Sequence, residues 1–239
     1  GVISSTNALT TSIGVIYSTD SNFGTYSTSS TQSNVAAGTY AFSLSGLTAS
    51  TTYHAKAFIT NKAGTSYGPA VSFTTTTPPI EVGNSYGGGL VFYIFQSGDP
   101  GYLAGETHGL IASTSDQAIY TDWKNNGGFT DIATGTGIGT GLANTNAIIS
   151  SHGSSASYAA GFARAYNGGG YTDWYLPSRD EMSKMILNKN AIGGFSSANY
   201  WSSSEYDIRN AYYSNFTSGS ANLVGDKLTV ANVRAVRSF

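Results

Sequence analysis

Five acidic residues lie close together near the C-terminal end of the sequence, and glycoside hydrolysis requires two carboxylates across a cleft. They are Asp173, Asp180, Glu181, Glu205 and Asp207. Asp180 and Glu181 follow Ser178, a good N-cap residue, and the helix dipole favours negative charge in a first turn. Two of the five carboxylates therefore already have a structural role. A secreted hydrolase would need a deep pocket lined by two of these groups. We expect these carboxylates to have structural roles rather than a catalytic one.

Two other patterns could bind a phosphate or a metal. Residues 135–141 are rich in glycine, but they lack the lysine of a phosphate-binding loop and the spacing of a dinucleotide-binding loop. His54, His108 and His152 have no Asp, Glu or Cys at metal-ligand spacing, and no nucleophile elbow is present. We predict a turn and three structural or surface histidines. We expect no cofactor. The sequence leaves open a Ca²⁺ site made of carboxylates and carbonyls, although no stretch has the spacing of a calcium-binding loop.

The composition excludes some partners. Charged residues make up 10% of the chain and the net charge is −2, so it has no electrostatic footprint for nucleic acid or an anionic membrane. The longest apolar run, residues 90–95, is far shorter than the roughly 20 residues of a membrane span.

The high content of Tyr, Ser, Gly and Asn is typical of adhesins and paratopes. Cysteine is absent, which neither proves nor excludes export.

Composition also indicates two domains joined by a linker rich in threonine and proline. Residues 1–77 carry strand-like runs separated by Ser, Thr, Gly and Asn clusters, at the spacing of a β-sandwich. These runs are residues 13–17, 39–44, 52–59 and 70–74. Residues 74–79 end in two prolines, which keep a linker extended. We predict a first domain over 1–77 and a second over 78–239.

The first domain carries a recognisable pattern. The run from Leu44 to Ala57, followed by residues 60–68 and 71–75, resembles a fibronectin type III domain. The resemblance implies that Leu47 and Tyr53 frame a corner, with Tyr53 partly buried and its hydroxyl hydrogen-bonded. Such a sandwich needs about 100 residues, so we expect an incomplete domain whose N-terminal strands are missing or supplied by another chain. The sequence lacks an initiating Met and a signal peptide, which predicts a mature product or a fragment.

The second domain combines strands with helices. Residues 90–95 predict a central strand and 108–113 another, followed by a helix beginning near Asn144 and breaking at His152 and Gly153. Residues 173–176 predict a strand that runs into a helix capped by Ser178 and ended by Gly193. The later strands are predicted at 200–201, 211–216, 227–230 and 233–237. Helices beside a mostly antiparallel sheet define an α+β fold.

Four motifs of this domain occur in a recognisable order. They are Trp174-Tyr-Leu-Pro-Ser-Arg-Asp-Glu181, Tyr200-Trp-Ser-Ser-Ser-Glu205, Asn215-Phe216 and Val233-Arg-Ala-Val-Arg237. As a set they resemble the DUF1566 family, the Legionella collagen-like protein C-terminal domain, over about residues 80–239. The resemblance implies a C-type-lectin-like fold, shared with retroelement variable proteins and formylglycine-generating enzymes. The absence of Cys excludes the chemistry of those enzymes, and the calcium-dependent sugar-binding motifs of lectins are absent.

The resemblance also implies a set of structural residues. They are Trp174, Pro177, Glu181, Trp201, Glu205, Arg234 and Arg237. We expect Glu205 to pair with Arg234 or Arg237, since a buried carboxylate needs a hydrogen-bonded partner. Tyr200, Trp201, Ala211, Phe216 and Val233 are predicted to face inward.

The residues between these anchors are predicted to be exposed and to bind a ligand. They are Tyr206, Asp207, Ile208, Arg209, Asn210, Tyr212, Asn222 and Asp226, with Ser214 and Leu223 also expected outside. Tyr and Arg carry most energy in recognition surfaces, and in retroelement variable proteins this region is the ligand face. Ordinary loop residues on a stable scaffold are the simpler alternative.

These patterns predict a secreted or cell-surface protein without enzymatic activity, which recognises a glycan or a surface protein. The alternative is a structural subunit of a cell-surface filament or a phage fibre. In that case the same surfaces contact copies of the chain or a preceding domain. We expect no nucleic-acid partner and no membrane span.

Overall fold

The structure is a computed structural model that describes residues 2–3, 10–32, 38–125, 127–129, 131–132 and 134–239. Antiparallel sheets dominate it, and helices are few. The chain divides into two units, Gly1–Pro79 and Ile80–Phe239. The β-rich class expected from the sequence is confirmed.

The first unit is built of antiparallel strands. They are β1 (Val2–Ile3), β2 (Thr10–Ser18), β3 (Ser27–Gln32), β4 (Gly38–Thr39), β5 (Thr52–Asn61), β6 (Gly64–Tyr67) and β7 (Val71–Thr74). The main sheet has the order β3-β2-β5-β6, with β7 also paired to β5, while β1 and β4 pair separately. The strand predicted over 39–44 is wrong beyond Thr39. There the carbonyls of Ser43 and Ser45 accept hydrogen bonds from the hydroxyls of Ser29 and Tyr17 instead of joining a ladder.

Tyr53 has the surroundings predicted for it. Tyr53 is 8% exposed, and its hydroxyl accepts a hydrogen bond from the N–H of Thr48 at 3.0 Å. Its ring packs against Tyr17 and Phe73, with centroids 6.2 and 6.0 Å away. Burial of the ring and satisfaction of its hydroxyl are therefore confirmed.

The second unit has nine strands and four α-helices among its described residues. The strands are β8 (Ser85–Tyr86), β9 (Gly89–Ile94), β10 (Gly109–Ala112), β11 (Ala118–Thr121), β12 (Asn199–Glu205), β13 (Asn210–Asn215), β14 (Ser220–Asp226), β15 (Ala231–Val233) and β16 (Val236–Ser238). The helices are α1 (Gly141–His152), α2 (Ala159–Ala165), α3 (Arg179–Leu187) and α4 (Lys189–Ile192). The predicted break after α1 is confirmed, because Gly153 has a φ of 84° that a helix does not allow.

Two sheets organise this unit. One has the order β16-β10-β9-β8, and the other has the order β11-β15-β12-β13-β14, in which only the β12–β15 pair is parallel. Two clusters of apolar side chains form the core, one around Trp123, Trp174 and Trp201 and the other around Phe92 and Phe216. All five residues predicted to face inward (Tyr200, Trp201, Ala211, Phe216 and Val233) are buried.

Four predicted elements of the second unit differ from the structure. Residues 173–176 form only the bridge between Tyr175 and Val236, because the N–H of Leu176 donates to the Thr145 hydroxyl at 3.0 Å. Residues 227–230 form a turn, in which the Asp226 carboxylate accepts the N–H of Leu228.

The other two elements are each divided in two. The predicted C-terminal strand, 233–237, is split between β15 and β16, which belong to different sheets. The predicted helix after Ser178 is interrupted at Asn188, whose side-chain amide donates to the carbonyls of Phe92 and Lys184.

Candidate recognition surface

A tight loop, Tyr206 to Arg209, connects β12 to β13, and we call it the recognition loop. All four of its residues are exposed, with Tyr206 at 58% and Ile208 at 49%. The N–H groups of Tyr206 and Asp207 both donate to the carbonyl of Asn210, at 2.9 and 3.2 Å. The loop is therefore closed by backbone hydrogen bonds, while the side chains of Tyr206, Ile208 and Arg209 are exposed.

Asp207 shapes this loop from within. Its carboxylate accepts the side-chain amide of Asn210 at 3.0 Å and the backbone N–H groups of Arg209 and Asn210, both at 2.8 Å. The bonds from Asn210 and Arg209 hold the pKa of Asp207 below its usual range. Asp207 and Asn210, both predicted as ligand contacts, have their polar groups engaged in the turn.

Two tyrosines and an arginine form one end of the surface. Tyr206 meets Tyr212 edge-on, with ring centroids 5.5 Å apart and an interplanar angle of 88°. The Arg179 guanidinium lies 5.3 Å from the Tyr212 ring centroid and also bonds the Asp180 carboxylate at 2.8 Å. Arg179 comes from the start of α3, so sequence reasoning, which used this segment only as a helix cap, did not find it.

Arg209 lies over a second aromatic residue. Its guanidinium is 5.0 Å from the ring centroid of Phe129, and the Lys124 ammonium is 5.1 Å from the same centroid. Phe129 is partly exposed. It was also absent from the predicted site, because no local signal connects residue 129 to the hairpin.

The remaining predicted contacts lie on β14. Asn222 is exposed with a φ of 59°, and its side-chain oxygen accepts the Ser183 hydroxyl of α3 at 3.0 Å. Asp226 pairs in register with Asn210 and caps the following turn through Leu228. Ser214 was predicted to be exposed but is buried, since it lies on the same side of β13 as Tyr212, the side that meets α3.

Lys227 supports the recognition loop from below. Its backbone N–H donates to the carbonyl of Arg209 at 2.9 Å, and its Nζ donates to the carbonyl of Ile208 at 3.0 Å. Its ammonium also pairs with Glu205. The expected pairing of Glu205 with Arg234 or Arg237 is therefore wrong. Ala211 of β13 pairs with Glu205 on one side and with Gly225 on the other, so the antiparallel register aligns the end of β12 with the end of β14 across β13.

The two C-terminal arginines pair with other carboxylates. Arg234 is fully buried and donates from Nε to Asp116 at 2.8 Å, while the same carboxylate accepts the Tyr200 hydroxyl at 2.8 Å. Arg237 binds both carboxylate oxygens of Asp173, at 2.7 and 2.9 Å, and lies 3.8 Å from the Tyr171 ring centroid.

The Asp173–Arg237 pair makes stability depend on pH. The hydrogen bond from Arg237 holds the pKa of Asp173 below its usual range. A lowered folded-state pKa adds stability above the unfolded value of about 3.9, and this is lost as pH falls through the folded value. We expect the difference in unfolding free energy between the wild type and Asp173→Asn to shrink in acid. Urea unfolding of both proteins near neutral pH and below about pH 3 measures it; an unchanged difference would contradict the pairing.

Glu181 joins two helix N-termini. The side chain of Ser178 and that of Glu181 form a reciprocal capping box at the start of α3. Oε1 of Glu181 also accepts the N–H of Gly139 at 2.8 Å, in the turn that precedes α1. A Cβ added to Gly141 would lie 2.3 Å from Oε2 of Glu181 and 2.9 Å from the backbone nitrogen of Ser178, so a larger residue would displace this junction. The capping role predicted for Glu181 is confirmed.

The other predicted structural residues are buried as well. The Trp174 indole donates to the carbonyl of Gly168 at 3.1 Å, and the Trp201 indole donates to that of Thr121 at 3.0 Å. The carbonyl of Pro177 accepts the N–H of Ser203 at 2.7 Å. These bonds satisfy the polar atoms that the motif residues bring into the core.

The glycine-rich segment 135–141 directs its amides toward the protein itself. The N–H of Gly135 donates to the Asn144 side chain at 2.8 Å, and that of Gly139 donates to Glu181. His108 does have a carboxylate partner, since its Nε2 lies 2.9 Å from Glu106, which raises its pKa. Within the described residues, no three His, Cys, Asp or Glu side chains form a group that could hold a metal ion.

No helix in the described part of the chain has the length and apolar character needed to cross a membrane.

No family model matches the sequence, and no curated protein is significantly similar to it. The candidate site is a hydrogen-bonded hairpin loop in which an aromatic, an aliphatic and a guanidinium side chain are exposed.

Proposed function

We propose that the chain is a secreted or cell-surface recognition protein without enzymatic activity, which binds a glycan or a surface protein. In this proposal the second unit is a C-type-lectin-like domain of the DUF1566 type. The first unit is an incomplete fibronectin type III-like domain. The observation that carries the proposal is the exposure of Tyr206, Ile208 and Arg209 on a loop fixed from inside by Asp207 and Lys227.

A preformed loop suits recognition. Binding usually costs conformational entropy, because side chains and loops become ordered at the interface, and a loop that is already ordered avoids part of that cost. Tyr and Arg are the residues most often found where binding energy concentrates. Tyr212 and Arg209 each stack on another side chain of the surface, which limits the rotamers that a ligand must select.

The carboxylates support binding over hydrolysis. Glu181 and Glu205 accept backbone N–H groups in the interior, Asp207 caps a turn, and Asp173 pairs with Arg237. A hydrolase needs one protonated and one ionised carboxyl facing the substrate. Here each of these four groups is engaged in holding the fold.

A second candidate function, a subunit of a filament or fibre, is favoured by another exposed surface. Ile119 and Tyr120 on β11 are 62% and 70% exposed, and Leu228 and Val230 in the turn before β15 are 53% and 47% exposed. Exposed apolar residues of this kind often mark contacts between proteins. Size-exclusion chromatography and electron microscopy separate the two functions, since a filament subunit polymerises without added ligand.

The proposed site predicts the effect of a triple substitution. In a screen against glycans and surface proteins, we expect Tyr206→Ala, Arg209→Ala and Tyr212→Ala together to weaken binding at least about tenfold, because each removes a contact group of the hot-spot type. A matched control replaces Tyr102 and Leu187, which are exposed at 39% and 77%, and should bind like the wild type. Binding that survives the triple substitution would place the ligand elsewhere.

A further inference from the structure

The Lys227 and Glu205 side chains meet away from solvent. They are 1% and 4% exposed, and Nζ of Lys227 lies directly against Oε1 of Glu205. The Lys227 ammonium also lies 4.8 Å from the ring centroid of Trp123. Burying two full charges is costly even when they are paired, so a neutral product of the same two groups would remove that cost.

The surrounding hydrogen bonds suit an amide as well as they suit an ion pair. Nζ of Lys227 donates to the carbonyl of Ile208 at 3.0 Å, and Oε2 of Glu205 accepts the N–H of Ile132 at 2.6 Å. A secondary amide has one N–H to donate and one carbonyl oxygen to accept. Both partners that this amide would need are therefore already in place.

The burial of Glu205 favours the same product. Burial raises the pKa of its carboxyl, although hydrogen bonds from Lys227 and Ile132 act in the opposite direction. An amine attacks a neutral carboxylic acid more readily than a carboxylate, since the carboxylate repels a nucleophile. Proton transfer from the ammonium to the carboxylate would supply both reactants at once, and holding them in contact replaces a bimolecular encounter.

We propose that Lys227 and Glu205 form an intramolecular isopeptide bond. After proton transfer the neutral Nζ attacks Cδ of Glu205, and the Nζ–Cδ bond forms. A proton then passes from Nζ to Oε1, the Cδ–Oε1 bond breaks, and one water molecule leaves. Oε2 remains as the amide oxygen on the N–H of Ile132, and no oxidant or other reactant is required.

This bond would close the base of the recognition loop covalently. It joins the last residue of β12 to the residue that follows β14, so β13, β14 and both connecting turns lie inside the closed ring. The proposal does not depend on any ligand, and it stands or fails separately from the proposed function.

Intact mass spectrometry of the denatured wild-type protein tests the bond directly. We expect a mass lower than the sequence mass by one water molecule. Trypsin should then cleave after Arg209 but leave residues 190–209 and 210–234 joined as one branched peptide, uncut at Lys227. The full sequence mass, with separate linear peptides ending at Arg209 and Lys227, would overturn the proposal.

A matched variant guards against other losses of water. Lys227→Arg retains the positive charge but cannot form this amide, so it should show the full sequence mass. Loss of water at an Asp elsewhere, by succinimide formation, would persist in that variant and would give linear peptides. The measurement on the wild type decides the question even if Lys227→Arg fails to fold.

Discussion

Asp116→Ala is expected to lower the free energy of unfolding by about 3–5 kcal/mol, because it leaves a buried arginine without its counter-charge. Arg234 is fully buried, and Asp116 accepts hydrogen bonds from its Nε, from the Tyr200 hydroxyl at 2.8 Å and from the Asn232 side chain at 3.1 Å. Removing the carboxylate therefore deprives these donors of a shared acceptor. Urea unfolding followed by tryptophan fluorescence measures the change.

Two comparisons make this prediction specific. Asp173→Ala also removes a carboxylate from an arginine, but the Asp173 side chain is 52% exposed, so water can replace it and the loss should be smaller. Adding Arg234→Met to Asp116→Ala removes the stranded charge, and stability should partly recover. Equal losses for Asp116→Ala and Asp173→Ala would contradict the argument from burial.

Glu181→Ala is the second substitution with a large expected effect, about 3–5 kcal/mol. The Glu181 carboxylate is buried and accepts the N–H groups of Ser178 and Gly139, both at 2.8 Å. Alanine would leave these donors buried without acceptors and would remove half of the capping box of α3. Thermal or urea unfolding measures the loss, and helical circular dichroism shows whether α3 persists.

The matched control for this substitution is Glu181→Gln. Glutamine keeps one carbonyl acceptor in the same place but loses the charge that two helix N-termini favour, so its cost should be distinctly lower. A glutamine variant as unstable as the alanine variant would mean that charge, rather than hydrogen-bond acceptance, holds this junction. A fully stable alanine variant would show that water replaces the carboxylate.

Local signals in the sequence predicted local structure well. Ser178 and Glu181 are three residues apart, so their capping box could be read directly from the chain. The break after His152 likewise follows from a local signal, the glycine at 153. The burial and hydroxyl bond of Tyr53 were instead implied by the resemblance to fibronectin type III domains. The inward positions of Tyr200 and Trp201 followed from their apolar character.

Long-range partners could not be predicted in the same way. Arg234 pairs with Asp116, 118 residues earlier, and nothing near Arg234 distinguishes that carboxylate from Glu205. Arg179 and Phe129 lie next to the hairpin because the fold brings α3 and the segment 127–129 beside it. Arg179 contacts Tyr212, and Phe129 contacts Arg209. The sequence indicates which residues are charged or aromatic, whereas their pairing depends on sheet register and on the packing of distant segments.

The support beneath the recognition loop has a consequence for how this protein can change. Asp207, Asn210 and Lys227 set the backbone path through bonds that face inward or lie within the turn, and none of them uses the side chains at 206, 208 or 209. The residues at those three positions can therefore be replaced by many others with little loss of folding stability. A library randomised there, with the supporting residues kept, should yield folded proteins of altered selectivity.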